Sequence, residues 1–252
     1  MQITLTGVEG LPLVSEGDDI AALIVDALKS SNMELLDGDI VVIAETLVAK
    51  AEGNTVDLRR IEPSRKALEI ASRTGKDPRL VEAILEESTE ILKVGHDFIV
   101  SETRHGFVCA NAGIDESNVE DGLATPLPED PDRSARRILE GLQELTGREV
   151  AVIISDTQGR PFREGAVGVA VGVAGISPVW DRKGELDLYG RSLQTTRVAV
   201  ADELAAAASL VMGQADEGVP AVIVRGYPWG HLRATGSAME LLRPRKLDVF
   251  RD

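Results

Sequence analysis

Residues 150–157 read VAVIISDT and residues 167–175 read VGVAVGVAG, and these two runs set the fold class. The first reads as a continuous apolar strand that ends abruptly at Ser155-Asp156-Thr157. In α/β architectures ligands collect at the carboxyl ends of such strands, because side chains there leave the sheet and face a crevice. The second run places Val167, Val169, Val171 and Val173 on alternate positions with only Gly or Ala between them. One face of that strand is therefore expected to be bulky and the other nearly bare. A bare face admits another backbone at close range, either within one subunit or across a contact between subunits.

Outward from these runs, QITLTGV (2–8) alternates as an early strand, and Ile20, Leu23, Ile24, Ala27 and Leu28 repeat at helical spacing behind the capping candidates Asp18 and Asp19. GDIVVIAE (38–45) reads as a mostly buried strand. Short helices are expected to open at Pro63-Ser64 and Asp77-Pro78, and strands with polar turns fill 91–110. ATPLPEDPDRS (124–134) is the clearest break, either a boundary between two subdomains of a single 1–252 unit or a surface excursion. Ala135, Ile138, Leu139, Leu142 and Leu145 then form one helical face that Gly147 can close, Val200, Leu204, Ala207 and Leu210 line another helix, and VPAVIVRG (219–226) is a last buried strand. There is no repeat and no strict βαβ rhythm, so an α+β (mixed α/β) fold is expected.

The 252 residues, 43% hydrophobic, suffice for a full core. No run approaches the roughly 20 apolar residues of a membrane helix, and the N-terminus lacks a signal-peptide pattern, so no membrane partner and a cytoplasmic location are expected. A single cysteine, Cys109, excludes an internal disulfide, and three histidines make a structural zinc site a poor fit. The formal net charge of -15 opposes general nucleic-acid binding, so an anionic substrate needs a local basic pocket.

Three polar clusters could carry chemistry. In CANAGIDESNVEDG (109–122), Asp115 and Asn118 lie just after a glycine that lets the chain turn; alone, this is an ordinary turn. Asp156-Thr157 ends a buried strand, where a carboxylate must be hydrogen-bonded, paired or metal-bound. MGQADEGVP (212–220) is a glycine-bracketed loop that can fold over a ligand and offer backbone N–H groups. Together they offer Asp, Thr, Gln and Asn oxygens, a set suited to Mg²⁺ or Mn²⁺. There is neither GxxxxGK[ST] nor a strand-linked GxGxxG, which excludes P-loop and Rossmann phosphate sites. Lys50, Arg160, Arg163 and Arg191 are the cations available for a phosphoryl group or carboxylate.

The segments VEGLPLV (8–14), KAEG (50–53), NAGIDESNV (111–119), ISDTQGRPFREG (154–165), DLYGR (187–191) and VADELAAAASLVMGQADEGVPAVIVRG (200–226) resemble the F420 gamma-glutamyl ligase family, the coenzyme F420-0:L-glutamate ligases. The resemblance implies a fold particular to that family, an intertwined homodimer and a GTP-dependent enzyme. Its reaction would join L-glutamate to F420-0 and then add further gamma-linked glutamates through an acyl phosphate. It also implies two divalent sites for Mg²⁺ or Mn²⁺, with K⁺ stimulating. By position, Asp115 and Asp156 would hold one metal, with Thr157 and Gln214 serving the second. GTP would lie against Leu11, Pro12, Leu13 and Val14, then Glu45, Thr46, Lys50 and Asn118, beneath the loop of Met212, Gly213, Gln214, Ala215, Asp216, Glu217, Gly218 and Val219. Glu45 departs from the small hydroxyl residue the family pattern leads one to expect five before the lysine; its carboxylate would repel phosphate or bond a guanine edge or ribose. Some relatives carry a C-terminal flavin-binding domain, and none is expected here. Two rival readings use the same residues: a metal-dependent phosphohydrolase with water as nucleophile, and a non-catalytic GTP-binding protein.

Overall fold

The apolar runs near residues 40, 151 and 221 pair with one another, and the rest of the chain is arranged around them. A computed structural model describes residues 1–250. In chain order its elements are β1 (Thr4–Gly7), α1 (Ile20–Ser30), β2 (Ile40–Ala44), α2 (Glu45–Ala51), β3 (Val56–Asp57), α3 (Arg65–Thr74), α4 (Pro78–Glu86), β4 (Ser88–Val94), β5 (Ile99–Thr103), β6 (Val108–Ala110) and β7 (Leu123–Ala124). There follow α5 (Pro131–Thr146), β8 (Ala151–Arg160), β9 (Arg163–Ala174), β10 (Trp180–Asp181), β11 (Arg197–Val198), α6 (Val200–Met212) and β12 (Ala221–Arg225). The helices begin where short polar side chains can take a free N–H: Asp19, Ser64, Asp77 and Asp130 each accept one from the first turn.

The central sheet has the order β1-β12-β2-β8-β9. Only β2 and β8 run parallel, from Ile40 opposite Ala151 to Ala44 opposite Ser155. Alternation along these strands divides the core. Val41, Ile43, Val152 and Ile154 pack with α1 and α5 on one face, while Ile40, Val42, Ile153 and Val222 pack with α6 on the other. The result is a three-layer mixed α/β arrangement. A third apolar cluster gathers α3 and α4 with Ile99 of β5 and Ala124 of β7, in the stretch between α2 and α5. The Pro- and Asp-rich stretch 124–134 is the return from that cluster, and it is not a solvated excursion: Ala124 and Thr125 are fully buried and Leu127 sits in the α1/α5 core.

Strand β9 departs from strict alternation. Ile154 pairs with Gly172 but Ser155 pairs with Ala170, which leaves Val171 as a bulge. Val169 and Val171 consequently face the α1/α5 core and Val173 faces α6, so the single bulky face expected from the sequence does not exist. The small residues are used inside the chain. A Cβ on Gly168 would strike the carbonyl oxygen of Ala205 in α6, and one on Gly172 the carbonyl oxygen of Pro131 in α5. Two helix-borne carboxylates bond this edge strand from outside, Asp202 accepting from the Ala170 N–H at 2.9 Å and Asp132 from the Val173 N–H at 2.9 Å.

At the opposite end of the sheet, Asp39 is only 1% exposed and accepts from Arg225 at 2.8 and 2.7 Å and from the Leu36 N–H at 2.8 Å. Removing one partner of such a pair strands a buried charge, so Arg225→Met is expected to cost about 3 kcal/mol. Guanidinium chloride unfolding measures it, and a change below about 1 kcal/mol would place the pair among weak surface bridges.

Candidate active site

Strands β2 and β8 end their pairing side by side, and what each does next makes a cleft. β2 passes at Ala44 directly into α2, so Glu45 is the first helical residue and Lys50 lies one turn and a half further along the same helix. Strand β8 does not stop at Thr157 as the sequence suggested; it runs on to Arg160 because β9 continues to pair with it beyond the end of β2. Asp156 is therefore the first residue of β8 past its last β2 partner, and it faces the space above α2. The cleft there has a volume of about 490 Å³.

Its walls bring the distant sequence clusters together. Leu11, Pro12, Leu13 and Val14 come from the loop after β1, Glu45, Thr46 and Lys50 from α2, and Asp115 and Asn118 from the acidic run. Asp156 and Thr157 come from β8, and Met212, Gly213, Gln214, Ala215, Glu217, Gly218 and Val219 from the loop after α6. Of the residues expected to hold nucleotide or metal, Asp216 alone is outside this wall, and the candidate cations Arg160, Arg163 and Arg191 are outside it as well. Arg160 instead donates to the Glu164 carbonyl at 3.3 Å across the β8–β9 ribbon. Lys50 is the only Lys or Arg among the lining residues.

The acidic run is shaped by its backbone. Asn111, Ala112 and Gly113 all have positive φ (53°, 55° and 72°), a left-handed stretch that is costly for Ala112. It delivers Asp115 to the cleft, where the Ser117 N–H and hydroxyl donate to its carboxylate at 2.8 and 2.5 Å. Lys50 donates to the Asn118 carbonyl and so ties the run to α2. In the loop after α6, Glu217 turns back to accept the Ala215 N–H at 2.7 Å, which backbone contact holds its carboxyl below the usual range. A side chain on Gly213, whose φ is 73°, would strike that carboxylate.

Three carboxyl groups and one ammonium thus share the floor. Glu45, 3% exposed, accepts from the Thr46 hydroxyl at 2.6 Å through Oε1, while its buried Oε2 has no partner. Burial first, and then Asp156 and Asp115, push its carboxyl well above the ordinary range. Asp156 is pushed up to about 6 by burial, with Asp115 adding to it and the Gln158 amide (2.8 Å) and Thr157 N–H (2.6 Å) opposing it. Burial also lowers the Lys50 ammonium, against the pull of Asp115 and Glu45. The positioning roles of Ser117 and Gln158 were not foreseen from sequence; both stand two residues from the carboxylate they hold.

A divalent cation fits this donor set, which is entirely oxygen and carries an excess of negative charge. Among the described residues no three His, Cys, Asp or Glu side chains are close enough to enclose an ion alone. Waters and substrate oxygens would have to complete its shell, as is usual for Mg²⁺. Cys109, in β6, lies behind the floor; burial and then Asp156 push its thiol up to about 12. It is expected to ignore a thiol-reactive disulfide reagent at pH 8 and to react fully once the chain is unfolded; reaction in the native protein within minutes would contradict this burial.

The fold and cleft define a mixed α/β protein with an acidic, oxygen-lined site and one well-placed cation. A family profile described as F420-0:Gamma-glutamyl ligase matches residues 10–226. A coenzyme F420:L-glutamate ligase of Methanothermobacter thermautotrophicus is 78% identical over 251 residues, covering 100% of both chains. One of Methanocaldococcus jannaschii is 57% identical over 218 residues, 86% of each chain, and one of Archaeoglobus fulgidus 46% identical over 251 residues, 100% of this chain and 97% of that one. The chain belongs to the F420-0:gamma-glutamyl ligase family. No helix among the described residues is long and apolar enough to cross a membrane.

Proposed function

We propose that the protein is a GTP-dependent ligase that joins L-glutamate to coenzyme F420-0 and then adds further gamma-linked glutamates, a step in coenzyme F420 biosynthesis. The observation that carries this reading is the convergence of Asp115, Asp156 and Lys50 on one cleft in a chain so close, over its whole length, to a coenzyme F420:L-glutamate ligase. In this reading the acceptor carboxylate takes the γ-phosphoryl group of GTP with loss of GDP. The glutamate amine then displaces phosphate from the acyl phosphate to form the amide. No side-chain nucleophile is required, so positioning and electrostatics supply the catalysis.

Lys50 supplies the one positive charge on the floor and orients phosphate oxygens, while it holds the Asn118 carbonyl in place. The loop 212–219 offers backbone N–H groups over the nucleotide. Asp115 and Asp156, with Thr157 and Gln214, are the residues that would hold Mg²⁺ or Mn²⁺. Such ions, when bound, neutralise crowded phosphate and carboxylate charge. A stimulating K⁺ and a homodimer belong to the same proposal.

Phosphate release from GTP tests the reading. It is expected to require both F420-0 and L-glutamate for sustained turnover; release unaffected by omitting glutamate would favour the phosphohydrolase, and binding of GTP without release the non-catalytic protein.

A further inference from the structure

The carboxylate of Glu45 has one oxygen committed and one left over. Oε1 accepts the Thr46 hydroxyl at 2.6 Å, whereas Oε2 is buried without any hydrogen-bond partner in a residue only 3% exposed. Leaving a charged or polar oxygen in that state costs stability, and such an atom is ordinarily completed by a water molecule or a bound group. The surroundings limit what that ligand can be. Asp156 and Asp115 are the charged groups that act on Glu45 besides Lys50, whose ammonium donates to the Asn118 carbonyl and not to Oε2. Another anion would be repelled there. A donor or cation would be held, and the side chain lines the cleft where it would sit.

We infer that Glu45 is a positioning residue for the divalent cation of this cleft, its free Oε2 accepting a hydrogen bond from a water molecule bound to an ion that Asp115 and Asp156 ligate. This rests on the cation reading of the site given above and extends it to a residue outside that ligand set. Among the described residues no three His, Cys, Asp or Glu side chains form a group that could hold an ion alone, although Glu45 feels the charge of both Asp156 and Asp115, and this favours contact through a bound water over direct ligation. Mg²⁺ and Mn²⁺ keep part of their water shell, and outer partners that orient those waters typically contribute about 10- to 100-fold in affinity. The start of α2 holds the Glu45 backbone at the end of β2, and the Thr46 hydroxyl fixes one of its two oxygens.

The test is titration of the metal-stripped protein with Mn²⁺, following free ion by electron paramagnetic resonance, alone and with GDP present. Thermal midpoints are measured in parallel in chelator. Glu45→Gln keeps the shape and the bond from Thr46 but cannot carry the charge. It is expected to weaken Mn²⁺ binding about 10- to 100-fold while raising the midpoint of the ion-free protein. Glu45→Asp, which restores the charge on a shorter arm, should recover part of the affinity. Unchanged or tighter Mn²⁺ binding by Glu45→Gln, with the parent binding normally, would overturn the inference alone. Absence of Mn²⁺ binding by the parent would overturn the cation reading with it. A lowered midpoint of the ion-free variant would also overturn it, since Glu45 would then be a structural group whose loss loosens the site.

Discussion

Asp156→Asn is expected to nearly abolish ligation and, in the absence of divalent ions at pH 7.5, to raise the thermal midpoint of the chain. The two effects have one origin. Asp156 lies past the end of its β2 pairing, desolvated and beside Asp115, and its carboxyl is pushed from 3.8 up to about 6. A carboxyl raised in the folded state keeps its full contribution to stability below the unfolded pKa. Stability is lost as pH rises from about 4 through about 6, because the unfolded chain releases a proton that the folded chain retains. A shift of this size is worth about 3 kcal/mol at neutral pH. Asn carries no charge there, can still accept the Thr157 N–H, and can donate to the Gln158 amide once that group turns over, so the ion-free variant should melt several degrees higher at pH 7.5. At pH 4 the difference should vanish. Catalysis moves the other way, because a ligand that holds the neutralising ion contributes several kcal/mol, or at least about 10²-fold in rate. Calorimetry in chelator and an initial-rate assay read both. A variant keeping more than a tenth of the parent rate, or melting lower at pH 7.5, would remove Asp156 from the role given to it.

Lys50→Met is expected to weaken nucleotide binding by about 10- to 100-fold with little change in folding. Lys50 is the sole Lys or Arg on the cleft wall, set among Glu45, Asp115 and Asp156, and its loss leaves their charge unopposed where phosphates must approach. One charge-assisted hydrogen bond is worth about 1.5–3 kcal/mol, which gives that range. The bond to the Asn118 carbonyl should be lost too, freeing the acidic run that positions Asp115. Arginine is a poor replacement, because its planar fork demands a different arrangement of acceptors. Calorimetric titration with GDP compares the variants; equal affinity in Lys50→Met would mean that the phosphates lie elsewhere.

Much of the framework is legible because local rules decide it. Asp19, Ser64 and Asp77 cap helices at the positions where the sequence opens them, Gly147 closes α5 in the left-handed region, and the apolar runs become the paired strands of the central sheet. What local rules miss is where one strand outlasts its neighbour. The extension of β8 past Thr157 depends on β9 remaining paired after β2 has turned into α2, a relation between segments far apart in the chain. The bulge at Val171 escapes for the same reason, since only the register with Ile154 and Ser155 exposes it. Asp115, Asp156, Lys50 and most of the 212–219 loop are singled out in the sequence and line one cleft, and their convergence there is a product of topology. Glu45 is the instructive residue. The family resemblance set it beside the nucleotide, to repel phosphate or to bond a guanine edge or ribose; its burial, its orphan oxygen and its two acidic neighbours become visible only when the strands are assembled.

The decisive measurement is mass spectrometry of F420-0 incubated with the purified protein, L-glutamate, GTP and Mn²⁺, each component withheld in turn. Products heavier than F420-0 by whole glutamyl units, formed only in the complete mixture, are expected and would count the additions. Consumption of GTP with F420-0 recovered unaltered, or glutamyl products formed without GTP, would contradict the proposed reaction.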